Sequence, residues 1–200
     1  DVALPTEYAY KSKSEGGIWE EGDLRRDESI RYDFTYLGIT PTEVSWGADE
    51  LDPHIKKYED ERTDQFNGNL ANEWYSGKNF IVLRYADVLL CYAECLNELG
   101  ETGEANTVVN QVRARAWGGT LPNEMAWNYG QDEFRVQIMD ERIRELCFEG
   151  WRRMDLIRTG KFVELIKERN PWAKKSGTIK EFHMRWPIPD TEIKNNSDIS

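Results

Sequence analysis

The sequence predicts an all-α protein in which a coil-rich amino-terminal third precedes a mainly helical remainder. Three observations support this fold class. From about residue 80 onwards, apolar residues recur at spacings of three and four, as on one face of a helix. Residues 1–79 lack such periodicity and are rich in Gly, Asp, Glu and aromatic residues. Residues 133–161 form a charged helical stretch with apolar residues on both sides. We therefore expect a loop-rich segment, 1–79, that packs on a helical domain, 80–200.

The loop-rich segment contains one alternating stretch, residues 30–36, which predicts a strand. A region this long without periodicity is typical of functional loops that rest on other elements. Residues 1–5 read as the middle of a longer chain. We therefore expect much of the packing surface for 1–79 to come from an amino-terminal half outside this sequence.

Helical hairpins are the predicted architecture of the second part. At least four helices are expected, near 80–99, 103–116, 132–149 and 151–168, and the last is expected to be interrupted around Thr159-Gly160. The first is apolar nearly all round, which favours a helix buried at the centre. Gly100 is expected to end it and Thr102 to cap the next helix. The small residues Ala93 and Ala105 are spaced with Gly100 as in tetratricopeptide hairpins, where two helices cross closely.

Three glutamates at a spacing of one helical turn, Glu141, Glu145 and Glu149, have three possible interpretations. A di-metal site would need Glu-x-x-His pairs, and the two histidines, His54 and His183, are not in helical register with a glutamate. A general acid and base pair would need a nucleophile or an oxyanion hole, and neither is recognisable nearby. A structural lattice of glutamates and arginines that fixes how helices dock is the interpretation we favour.

The predicted lattice needs cationic partners because buried carboxylates are unfavourable without them. Arg84, Arg113 and Arg115 are the expected partners from other helices. The full predicted set is Arg84, Arg113, Arg115, Glu141, Arg142, Glu145, Glu149, Arg152 and Asp155. We expect no metal and no cofactor.

Composition excludes several classes of function. The net charge of −11 and the pI near 4.8 argue against a nucleic-acid surface, which needs a basic face. No apolar run approaches the length of a membrane-spanning helix. The three cysteines are an odd number on apolar helical faces, so no disulfide framework is expected.

Aromatic residues outside the periodic helices are candidates for stacking on sugar rings. The candidates are Trp19, Trp46, Trp74 and Tyr75. Trp19 follows Gly16-Gly17, which is expected to present the ring to solvent. Each of these rings has an alternative role, which is to fill a small local core.

Several segments, taken together and in order, resemble the SusD/RagB family of outer-membrane lipoproteins. They are RYADVLL at 84–90, NQVRARA at 110–116, ERIREL at 141–146 and WPIP at 186–189. The resemblance covers residues 80–200 well and reaches the earlier part through GDLRR at 22–26.

This resemblance implies a mostly helical, tetratricopeptide-like protein of the outer membrane surface that is not an enzyme. It would capture glycans for a SusC-like TonB-dependent transporter and would be anchored by a lipid on its amino-terminal part. The alternative is a tetratricopeptide-like scaffold that binds a peptide or protein partner.

Overall fold

The structure is a computed structural model that describes residues 4–32, 52–59, 78–196 and 198. The described residues are mainly helical, which confirms the predicted fold class. Their α-helices are α1 (Glu7–Tyr10), α2 (Arg25–Ser29), α3 (Tyr85–Glu98), α4 (Thr102–Ala116), α5 (Gln131–Leu146), α6 (Arg152–Arg158), α7 (Phe162–Arg169), α8 (Pro171–Ser176) and α9 (Asp190–Asn195). Contacts divide the chain into two compact units, Asp1–Arg152 and Arg153–Ser200. The predicted domain boundary at residue 79 stays a prediction, and the two units divide after Arg152.

The early part of the first unit contains two short strands, β1 (Ile30–Arg31) and β2 (His54–Ile55). They pair antiparallel, with Ile30 opposite Ile55. The predicted strand at 30–36 therefore begins where expected, and its residues from 33 onwards lie outside the described ranges. Ile30 is buried with Ile18 and Trp19 in a small core of its own. This core attaches the coil-rich segment to α5 through Ile143 and Cys147.

Helix α3 begins at Tyr85 rather than near residue 80, which corrects the predicted start. Arg84, before the first turn, is extended, with φ −140° and ψ 159°. The helix buries Leu90, Ala93 and Leu96 against α4 and α5. Its other apolar face is exposed in the described residues, where Tyr85 is 73% exposed. The apolar residues on all sides of α3 thus indicate two packing faces. The described part of the chain covers one of these faces and leaves the other exposed.

Helix α4 buries all five of its predicted apolar positions, which are Ala105, Val108, Val109, Val112 and Ala116. Gly100 ends α3 with a φ of 87°, a left-handed conformation that favours glycine. The prediction that Thr102 caps α4 was wrong. Glu101 occupies the N-cap position, and the Thr102 hydroxyl donates to Asn97 Oδ1 at 2.9 Å.

Helix α5 ends at Leu146, three residues before the predicted end. Cys147 is extended, and Phe148 then has a φ of 65°, which no helix continues through. Glu149 consequently lies beyond the helix rather than on its face. The turn nevertheless returns its side chain to a buried position next to the glutamates of α5.

The second unit comprises short helices. Gly160, with a φ of 70°, separates α6 from α7, which confirms the predicted interruption around Thr159-Gly160. Asn170 caps α8 by accepting from Ala173 N at 3.0 Å. Arg153 lies over the rings of Phe162 and Trp186, at 4.9 and 4.5 Å from their centres. The WPIP stretch therefore packs against this unit through its tryptophan, even though Trp186 is 79% exposed.

Candidate functional site

The buried centre of the first unit is the carboxylate of Glu141, which is 0% exposed. Its Oε1 accepts from Arg25 Nη1 at 2.7 Å, and its Oε2 accepts from Arg113 Nη1 at 2.9 Å. Arg144, one turn further along α5, donates Nε to the same Oε2 at 2.9 Å. Guanidinium groups from three helices therefore meet one carboxylate, which fixes α2, α4 and α5 relative to one another.

A second cluster lies at the end of α5. Arg84 donates Nε to Glu149 Oε2 and Nη2 to Glu149 Oε1, both at 2.8 Å. Its Nη1 donates to Glu145, which also accepts from Arg115 and from Arg25. Arg84 lies in the extended segment before α3 and thus joins α5 to the turn that follows α5. The planar guanidinium group allows this because it can donate to two carboxylates at once.

Arg25 and Lys57 complete the lattice, and the sequence-based set did not include them. Lys57 Nζ donates to Glu145 O at 3.0 Å and pairs with Glu149 at 2.5 Å. Arg25 also holds Asp23 through two bonds, at 2.9 and 2.7 Å. The GDLRR resemblance at 22–26 was the available signal for Arg25. Nothing in the local pattern around Lys57 distinguishes it from a surface lysine.

The remaining predicted lattice residues lie elsewhere. Arg142, on another face of α5, pairs with Asp87 of α3 at 2.9 Å. Arg152 donates to the Met139 carbonyl at 3.0 Å. In the second unit, Asp155 is buried and accepts from Arg158 at 2.9 Å. These contacts do not include Glu141, Glu145 or Glu149.

Three buried carboxylates of the lattice, those of Glu141, Glu145 and Glu20, have lowered pKa values in spite of their burial. Burial by itself raises the pKa of Glu141, but the guanidinium groups of Arg25, Arg144 and Arg113 outweigh it and hold that pKa well below its usual range. Burial also opposes ionisation of Glu145 and Glu20, and nearby arginines likewise lower the pKa of each. A lowered carboxyl pKa in the folded state means that ionisation stabilises the fold.

We expect stability to fall steeply in acid because of these lowered pKa values. The unfolded carboxyls titrate near pH 4.3, so the contribution is complete above that pH and is lost as pH falls through the lower pKa of the folded state. Urea unfolding at pH values between 7 and 3 measures this loss. Glu141→Gln should show a shallower decline below about pH 5, because one of the titrating groups is absent. An identical decline in both proteins would contradict the prediction.

Trp19 is buried at 2% exposure, which corrects the expectation that its ring faces solvent. Its indole Nε1 donates to Ala9 O at 2.6 Å. The reason lies at Gly17, where an added Cβ would be 2.0 Å from Lys11 O. Ile18 and Trp19 both donate their backbone N–H to that same carbonyl. The glycine therefore permits a close backbone turn that directs Trp19 inward. Trp46, Trp74 and Tyr75 lie outside the described residues.

An extended loop between α4 and α5, residues 124–130, is held by side chains of α4 at a regular spacing. Asn106 donates to Tyr129 O at 2.9 Å and accepts from Tyr129 N at 3.1 Å. Asn110 makes the same pair of bonds to Trp127, at 3.0 and 2.7 Å. Arg113 donates twice to Met125 O, at 3.2 and 2.8 Å. Alternate loop residues are thus fixed to successive turns of one helix.

A concave cavity of about 630 Å³ lies beside this loop. Its lining comes from residues 12–14 and 19–21, from Arg113, and from residues 124–129. Trp127 is 4% exposed, and its ring meets those of Tyr129 and Phe134 edge-on, at 5.1 and 5.6 Å between ring centres. The region chosen from the sequence around Trp19 therefore borders a cavity, but the aromatic wall comes mainly from Trp127 and Tyr129. The clustering of aromatic residues at 124–130 was the signal for it.

Within the described ranges, no cluster of three or more His, Cys, Asp or Glu residues is arranged to hold a metal ion. None of the described helices is long and apolar enough to cross a membrane. The carboxylates of Glu141 and Glu145 pair with arginines, and that of Glu149 pairs with Arg84 and Lys57.

The family model for the SusD family matches residues 6–200. This chain belongs to the SusD family. The SusD family comprises glycan-binding proteins, which are not enzymes and are typically surface lipoproteins. Family membership confirms the sequence-based resemblance and the prediction that the protein is not an enzyme.

SusD relatives match over part of their length. SusD-like proteins P38 and P2 of Formosa agariphila are 41% and 42% identical over 74% of this chain, which is 28% and 29% of their own length. The starch-binding protein SusD of Bacteroides thetaiotaomicron is 27% identical over 73% of this chain and 25% of its own. A crystal structure of a SusD homologue from that species has a TM-score of 0.64 at 25% identity and covers 86% of this chain and 39% of that one. The chain thus spans less than a third of the length of P38, P2 and the starch-binding protein SusD.

Proposed function

We propose that this protein is a cell-surface glycan-binding subunit of the outer membrane, which captures oligo- or polysaccharide and delivers it to a SusC-like TonB-dependent transporter. The observation that carries this proposal is the SusD match over residues 6–200. A relative 27% identical to this chain is a starch-binding protein, which supports a glycan as the cargo. The attachment that fits this role is a lipid anchor on an amino-terminal part of the full-length protein.

The described residues fit a binding role because they combine a rigid scaffold with a concave surface. The Glu141 lattice fixes α4 and α5, and α4 in turn fixes the aromatic loop through Asn106, Asn110 and Arg113. A site built on rigid elements loses less conformational entropy when it binds. Trp46, Trp74 and Tyr75 remain sequence-based proposals for further sugar-stacking positions.

Calorimetric titration of the full-length protein against plant, host and bacterial polysaccharides tests the proposal. We expect saturable binding to at least one polysaccharide, and co-purification with a SusC-like transporter from solubilised outer membranes. A panel of extended peptides serves as the matched comparison, because the alternative function is a tetratricopeptide-like scaffold for peptides. Binding to peptides together with no binding to any polysaccharide would favour that alternative and overturn the proposal.

A further inference from the structure

The cavity beside the 124–130 loop has features of a ligand site that the family match does not assign. Its volume of about 630 Å³ lies within the range of about 300–1,000 Å³ typical of small-molecule sites. One wall is the main chain of residues 125–129. Six hydrogen bonds between this main chain and the side chains of Asn106, Asn110 and Arg113 hold it in place. The opposite wall is the turn at residues 12–14 and the segment 19–21. Both walls belong to the same compact unit, so the cavity is a built feature of the fold.

The loop wall contributes Tyr129 and Asn128 to the lining of the cavity. Trp127 is 96% buried, since its exposure is 4%, and its indole Nε1 is closed to solvent. The Trp127 ring therefore gives the wall its shape, and its N–H is not within reach of a ligand. The half-buried ring of Tyr129 stands next to the Trp127 ring, and the exposed amide of Asn128 follows in the chain. Together they offer an aromatic surface with donors and acceptors at its edge.

The charges of the lining select against anions. The two cations, Lys13 and Arg113, are both engaged by Glu20, at 2.7 and 2.5 Å. Glu21 and Glu124 add two exposed carboxylates, for which the described part of the chain provides no ion pair. An acidic ligand would meet these carboxylates without a cation free to bind it. An uncharged ligand with hydroxyl groups meets acceptors and donors with no such repulsion.

We propose that this cavity is a subsite for one uncharged sugar unit of a glycan. The ring of Tyr129 stacks on the weakly apolar face of the sugar, while the exposed amide of Asn128 bonds its hydroxyl or ring oxygens. This inference rests on the proposed function, because it names where and in which form a glycan is held. It places the aromatic contact on the α4–α5 loop and not on the Trp19 ring.

The test measures affinity of the full-length protein for neutral oligosaccharides, with maltohexaose as the first probe and oligosaccharides of any other polysaccharide that the wild type binds. Tyr129→Ala is expected to weaken binding about three- to tenfold, since one stacked ring is lost. Tyr129→Phe keeps the ring and should stay within about twofold of wild type. Tyr92→Ala removes a partly exposed tyrosine outside the cavity and should leave the affinity unchanged.

A second pair of variants probes the polar edge. Asn128→Ala should weaken binding several-fold, whereas Asn123→Ala, one residue before the loop and outside the lining, should not. An oligosaccharide of uronic acids should bind more weakly than the neutral probe of equal length. Wild-type affinity in Tyr129→Ala and Asn128→Ala, or tighter binding of the uronic-acid oligosaccharide, would overturn the subsite while leaving a glycan-binding function in place. If the wild type binds no neutral oligosaccharide and no polysaccharide, the proposed function itself fails.

Discussion

Glu141→Gln is expected to destabilise the protein by about 3–5 kcal/mol, the cost of removing one partner from a buried ion pair. Glutamine has nearly the same shape as glutamate, so the loss reports charge and not volume. The variant leaves Arg25, Arg113 and Arg144 close together without the carboxylate that binds all of them. Arg113 and Arg144 have side chains exposed by 1% and 0%, so water cannot replace the lost partner. Urea unfolding at pH 7 measures the change.

Glu133→Gln is the matched control for this prediction. Glu133 lies on α5 too, but it is exposed, and its carboxylate accepts from Gln137 Nε2 at 2.6 Å. An exposed substitution of this kind typically changes stability by less than about 0.5 kcal/mol. If the two variants unfold at the same urea concentration, burial of the lattice is not what makes Glu141 important.

Arg113→Ala is expected to have an effect of similar size, about 3–5 kcal/mol, because it removes the buried cation that Glu141 and Glu20 share. The same side chain donates to Met125 O, so its loss also releases one end of the 124–130 loop. Arg113→Lys should recover little, since an ammonium group cannot serve two carboxylates and a carbonyl in the planar geometry of guanidinium. We expect both variants to unfold at lower urea concentration.

Arg115→Ala tests whether the loss of stability expected for Arg113→Ala comes from the burial of the ion pair or from ion pairing alone. Arg115 is two residues further along α4 and pairs with Glu145, but its side chain is 62% exposed. An exposed pair contributes about 0–1 kcal/mol, so this variant should be nearly as stable as the wild type. A loss in Arg115→Ala equal to that in Arg113→Ala would show that the lattice acts as a unit irrespective of exposure.

Glu141→Gln and Arg113→Ala are also expected to affect binding, because Arg113 belongs both to the lattice and to the bonds that hold the loop. Glu141 positions Arg113, and Arg113 positions Met125 at the start of the cavity wall. Damage to the buried lattice therefore changes the geometry of the proposed sugar subsite. Tyr129→Ala, which leaves all of these bonds to the main chain intact, separates a loss of ligand contact from a loss of scaffold.

The sequence by itself determined the helical class, the pairing of α3 with α4 and the need of the α5 glutamates for arginines. These follow from local patterns: apolar residues at helical spacing demand a common buried face, and carboxylates between apolar residues demand cations. The four-residue spacing of Glu141 and Glu145 was visible in the same way. So was Gly100, because a left-handed residue after a helix is almost always glycine.

Only the tertiary structure decided which charges meet and which rings face a cavity. Arg25 and Lys57 reach the glutamates from 116 and 88 residues away in the chain, and no local period encodes such contacts. Trp19 and Trp127 both border the cavity and are both buried, at 2% and 4% exposure. A 2.0 Å approach at Gly17 places Trp19 in the small core with Ile18 and Ile30. Hydrogen bonds between α4 and the loop fix Trp127 in the cavity wall. Exposure depends on what the rest of the chain packs against, and that is a property of the folded whole.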